Sequence, residues 1–67
     1  MQIIYTLDPD DNGPMVHAFL DHRDGKQTEV GHLYFWAKKL DDTYMEPGFE
    51  PLIEQTMHEL AREALES

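Results

Sequence analysis

Cysteine is absent from the chain. That excludes disulfides and every thiolate metal site, and it is compatible with a reducing compartment. Serine occurs once, as Ser67, and no glycine-rich phosphate loop is present. Nucleophilic and nucleotide-handling chemistry therefore find little support. No apolar run approaches the roughly 20 residues needed to span a bilayer. Met1–Leu7 is apolar but short, lacks a basic start and runs directly into Asp8, which argues against a signal peptide. A soluble, cytoplasmic protein is the expectation. Basic residues are also scarce: 5 Lys and Arg stand against 14 Asp and Glu, for a net charge of −9. Such a field repels nucleic acid and anionic membranes and attracts basic surfaces.

What is present is enough for a core. Of 67 residues 40% are hydrophobic, with one Trp, three Tyr and three Phe, which is not the composition of a disordered chain. The length predicts one small, marginally stable domain over residues 1–67.

Met1–Leu7 reads as a strand, with Ile3, Tyr5 and Leu7 on one face and Gln2, Ile4 and Thr6 on the other. Asp8–Pro14 reads as a loop. Met15–His22 predicts a second strand, with Val16, Ala18 and Leu20 opposing His17, Phe19 and Asp21. Arg23–Lys26 contains Asp24-Gly25, suited to the positive φ of a type I′ hairpin turn. Glu29–Trp36 predicts a third strand, with Leu33 and Phe35 opposing Val30, His32, Tyr34 and Trp36. A short helix over Leu33–Leu40 is the alternative there. Asp41–Gly48 reads as a linker. A helix then runs to the C-terminus, with Pro51 in its first turn and an apolar stripe of Phe49, Ile53, Met57, Leu60 and Ala64.

The expected fold class is α+β: a three-stranded antiparallel sheet in β-β-β-α order, with one C-terminal amphipathic helix across one face. Phe19, Tyr34 and Trp36 either complete the small core or form an exposed aromatic patch on the uncovered face. A patch of that kind marks a partner surface.

Asp8-Pro9-Asp10-Asp11-Asn12-Gly13 matches the opening of a calcium-binding loop. The match then fails, because Phe19 occupies the position of the bidentate glutamate and the flanks read as strands. The four histidines, His17, His22, His32 and His58, follow no recognised zinc spacing. Carboxylate pairs are plentiful, but acid–base catalysis needs a pocket that separates their pKa values. A domain of this size has little volume for one. The sequence thus predicts no metal, no cofactor and no enzyme.

The placement of the acids carries the remaining signal. Residues 1–22 hold four aspartates and no Lys or Arg, and residues 40–67 hold eight acids against Arg62 alone. On the predicted helix, Glu50, Glu54 and His58 form one row beside the apolar stripe. Arg62 lies within four residues of Glu59 and Glu66 and partly neutralises the outer face. Unpaired acid is therefore densest at Asp8, Asp10 and Asp11 and at Asp41, Asp42, Glu46, Glu50 and Glu54. These are the candidate partner-binding residues. Carboxylates held on a rigid scaffold can imitate a row of phosphates, so a Lys/Arg site built for nucleic acid would bind them instead. The expected partner is a basic nucleic-acid-binding protein surface, with no direct binding to nucleic acid or membrane and a monomer favoured over a dimer. The competing expectation is a non-catalytic interaction module, an antitoxin or adaptor, that docks through the aromatic sheet face.

In its small size, lack of cysteine, acidity and α/β element order, the chain resembles phage-encoded anti-CRISPR proteins, in particular inhibitors of type I Cascade complexes, type I-C among them. The resemblance rests on these overall features and on no diagnostic motif. It implies a phage or mobile-element origin, action in the host cytoplasm, and competition for the Cascade channel that recognises target DNA.

Overall fold

Alternating apolar residues in the first half of the chain build strands, and a 3–4 spacing in the last third builds a helix. The computed structural model describes residues 2–9 and 13–66. The elements are β1 (Gln2–Asp8), β2 (Met15–Asp21), β3 (Gln27–Trp36), β4 (Lys39–Met45) and α1 (Glu50–Glu66). The strands pair in chain order, each antiparallel to the next. The architecture is α+β with one C-terminal helix, as expected, but the sheet has four strands instead of three.

The fourth strand occupies most of the segment expected to be a linker. Its sequence, KLDDTYM, carries two aspartates, a residue type depleted in strands. The turn that creates it is equally unannounced. Ala37 and Lys38 form a two-residue connection with φ of 53° and 65°. Positive φ at both central positions is the type I′ geometry, where Asn-Gly is the usual sequence. Pairing of β3 with β4 holds two side-chain-bearing residues in a conformation that costs about 1–2 kcal/mol each. The helix considered for Leu33–Leu40 does not form, because this hairpin claims the segment.

The turn between β2 and β3 also differs from the type I′ expectation. Only Gly25 has positive φ, at 88°. Its N–H donates to the His22 carbonyl at 3.1 Å, and the His22 N–H donates to the Lys26 carbonyl at 2.8 Å. This is the wider hairpin in which a left-handed glycine follows a type I turn.

The helix covers one face of the sheet. Ile3, Tyr5 and Leu7 stand opposite Leu20, Ala18 and Val16. Val16, Ala18, Val30, Leu33, Ile53, Met57 and Ala61 form the fully buried core, surrounded by Ile3, Tyr5, Leu20, Phe35, Met45, Phe49 and Leu60. Burial of each larger aliphatic side chain contributes about 1.5–3 kcal/mol. No polar or charged residue among those described is buried.

Val30 corrects the simple alternation. Ala18 pairs with Gly31 and Phe19 with Glu29, so Val30 is the extra residue of a β-bulge. The bulge interrupts the period of two, and Val30 joins the core instead of sharing a face with His32. Beside it, Gly31 lets the helix approach closely. A Cβ there would stand 2.8 Å from Ile53 Cδ1 and 3.2 Å from the Tyr44 carbonyl oxygen. The helix itself is entered through a tight turn. The Glu46 carbonyl accepts from Phe49 and Glu50, and the Phe49 carbonyl accepts from Leu52 and Ile53.

Candidate binding surface

The sheet face opposite the helix is built by the alternate residues of every strand. Strand registers align them in rows. One row runs Asp8, Met15, Tyr34, Asp42, and the next runs Thr6, His17, His32, Tyr44. A third runs Ile4, Phe19, Glu29, and a fourth Gln2, Asp21, Gln27. At roughly 4.8 Å between strands, each four-strand row spans about 14 Å.

The centre of this face is a connected set of rings and carboxylates. His17 Nδ1–H donates to Glu29 Oε1 at 2.8 Å. The same oxygen lies 3.6 Å from His32 Nδ1. His32 Nε2–H donates to Asp42 Oδ2 at 3.0 Å. The His32 ring stacks on Tyr34 with centroids 4.3 Å apart, and His17 meets Tyr34 edge-on at 5.4 Å. Phe19 stacks on His17, and Tyr44 tilts against His32. These contacts fix the rotamers of the central rings, so the face is preorganised. His17 and His32 retain only 19% and 18% side-chain exposure, whereas Asp42 retains 62%.

None of Phe19, Tyr34 and Trp36 belongs to the buried core. Phe19 and Tyr34 are half-buried among their neighbours, while Trp36 is 62% and Tyr44 48% exposed. The aromatic residues thus form a surface patch, not a second half of the core.

Charge on this face is one-sided. Asp8, Asp21, Glu29 and Asp42 all project from it by register. Lys39, across from Trp36 at one end, is the only Lys or Arg on the four strands. Among the described residues, the ion pairs within 4.0 Å all involve histidine.

The acids singled out in the sequence fall on more than one surface. Asp8 and Asp42 share a row of the open face at opposite edges of the sheet. Asp10 and Asp11 lie outside the described residues, as does the centre of the calcium-like loop. Asp41 is the extra residue of a second bulge, because Tyr34 pairs with Asp42 and Phe35 with Leu40. The Glu46 N–H donates to the Val30 carbonyl at 2.9 Å, which ties the end of β4 to β3. Glu50 and Glu54 sit on the helix side, where with His58 they line a groove of about 230 Å³ against Leu40, Thr43 and Met45. Their row beside the apolar stripe is as read from the helical period. Arg62 makes no carboxylate contact within 4.0 Å among the described residues, and Glu59 instead accepts from Gln55 at 3.1 Å.

Two members of the central set carried no signal of their own in the sequence. Glu29 is one acid in a strand, and Tyr44 lay in the presumed linker. His17 and His32 stand directly opposite each other in the register. Among the described residues no group of three or more His, Cys, Asp or Glu is arranged to hold a metal ion. Among the described residues no helix is long and apolar enough to cross a membrane. No protein-family model, curated protein or solved structure matches the chain.

Proposed function

We propose that this chain is a non-catalytic inhibitor that presents its acidic sheet face to a basic, nucleic-acid-binding surface of a partner protein. The observation that carries the reading is the one-sided charge of the open face. Asp8, Asp21, Glu29 and Asp42 flank or join the cluster of rings, and Lys39, the one Lys or Arg on the strands, stands at the margin. Arg and Lys side chains that normally engage phosphates can form charge-assisted hydrogen bonds with such carboxylates. The neighbouring Tyr34, Tyr44 and Trp36 supply flat apolar area and cation–π partners for the same side chains. Of the acids read from the sequence, Asp8 and Asp42 share this face with the aromatic rings.

The resemblance to anti-CRISPR proteins narrows the partner to a type I Cascade complex, with the domain competing for its DNA-recognition channel. In a gel-shift assay, the domain should prevent a purified type I-C Cascade from binding a duplex that carries its protospacer and adjacent motif. The block should weaken as salt rises, because it depends on screened charges. An unchanged shift at saturating domain would remove the Cascade assignment. The general reading stands or falls on Asp8→Lys/Asp42→Lys. This variant should lose capture of basic proteins from a bacterial lysate at low salt, and unchanged capture would refute electrostatic recognition by this face. The adaptor reading draws on the exposure of Trp36. It predicts instead that Trp36→Ala abolishes capture while the salt dependence stays shallow.

A further inference from the structure

The two edges of the sheet are treated differently. The edge at β4 is bulged and carries adjacent aspartates at 41 and 42. Bulges and charges are the devices by which natural sheets stop their edges from pairing. The edge at β1 has no bulge and no charge within its length before the last residue. Its ladder with β2 runs unbroken through seven residue pairs, Gln2↔Asp21 to Asp8↔Met15. Its sequence, QIIYTLD, contains no Pro and no Lys, and its only charge is Asp8 at the end. Leu7 is 39% exposed. Among the described residues β1 pairs with β2 alone, so its other side offers unpaired backbone donors and acceptors.

We propose that β1 pairs antiparallel with β1 of a second copy of this chain, about a two-fold axis at Tyr5, to join two sheets into one of eight strands. The argument is self-complementarity. With all seven residues overlapped, Ile3 stands opposite Leu7 of the second copy, Tyr5 opposite Tyr5, and Ile4 opposite Thr6. Every residue on the helix side of β1 then meets an apolar partner, and the exposed Leu7 is covered. Asp8 meets Gln2, so no like charges face each other across the new pair, whose direct opposition destabilises sheets. Sequence reasoning favours a monomer, and two copies of net charge −9 repel each other; the unguarded edge is the structural ground for the contrary expectation. The contact is small for an interface, so the association is concentration-dependent. It does not depend on the partner proposed above. It also has the opposite salt response: screening weakens the docking of a basic partner but favours the joining of two acidic copies.

Sedimentation equilibrium of the purified chain tests this, from micromolar to millimolar concentration and at low and high sodium chloride. The mass should rise from 7.8 kDa towards twice that value, and more completely at high salt. Gln2→Glu sets a like charge against the second copy's Asp8 twice per dimer, beyond the one it sets against Asp21 in its own sheet, and should weaken association several-fold. Gln2→Lys should strengthen it by a similar factor. Gln2 is exposed at the strand end, so both variants should retain the far-ultraviolet circular dichroism of the parent. A chain that stays monomeric throughout the range overturns the proposal. So does a dimer indifferent to both substitutions, since it would use another surface.

Discussion

The two faces of the sheet are made from the same strands, residue by residue in alternation, yet they obey different rules. The covered face has a fully buried centre without a single ring, and among the described residues it buries no polar or charged side chain. The open face is built of imidazoles, phenols and carboxylates that touch one another in pairs. Leu33 and Tyr34 are neighbours in the chain, but one is fully buried under the helix and the other stacks on His32 in view of solvent. Stability resides on the first face. Recognition, on the reading proposed above, resides on the second.

Substitution at these neighbours is the most direct way to break that contrast. Leu33→Ala should destabilise the domain by about 2–5 kcal/mol through cavity formation. For a small domain that is a large share of the total stability. Tyr34→Ala should cost clearly less in urea unfolding followed by circular dichroism, yet weaken partner capture more. Equal stability losses at the two positions would erase the division. Next in size is Gly31→Ala. Its new methyl would press on Ile53 and on the Tyr44 backbone, and overpacking of this kind costs about 1–3 kcal/mol. A loss below that range would mean the helix lifts without penalty.

Charge reversal sharpens the comparison between surfaces. Asp8→Lys/Asp42→Lys should reduce capture of a basic partner by tenfold or more, equivalent to about 1.4 kcal/mol. Glu50→Lys/Glu54→Lys, on the helix-side groove, should have a much smaller effect. The reverse ranking would move the interface to the helix side. The smallest effect belongs to the turn that brings Asp42 and Tyr44 onto the open face. Ala37→Asn/Lys38→Gly relieves two left-handed residues and should raise stability by about 1 kcal/mol without altering capture. Thermal unfolding of the double variant measures this directly.

Much of the architecture was legible in residue order. The first two strands, their facing residues and the amphipathic helix follow from periodicity, because a period of two or of 3.6 is a local property of the chain. The fourth strand was not legible. Its aspartates and the Ala37-Lys38 turn contradict local preference, and only pairing with β3 stabilises them. Val30 was misplaced for a related reason: a bulge changes the face of a residue without changing its chemistry. On the candidate surface, Asp8 and Asp42 were singled out as acids, but their shared row depends on the registers of three successive strand pairs. Glu29 and Tyr44 joined the site only through those same registers.

Charge, the absence of cysteine and the hydrophobic periods are properties of the sequence by itself. They determined that this is a small acidic α+β chain with a helix to cover one sheet face. Tertiary structure alone decided which acids stand together, which rings stay exposed and which edge is left unguarded. The physical reason is that hydrogen-bonded register and bulges are set between strands, by contacts between residues remote in the chain.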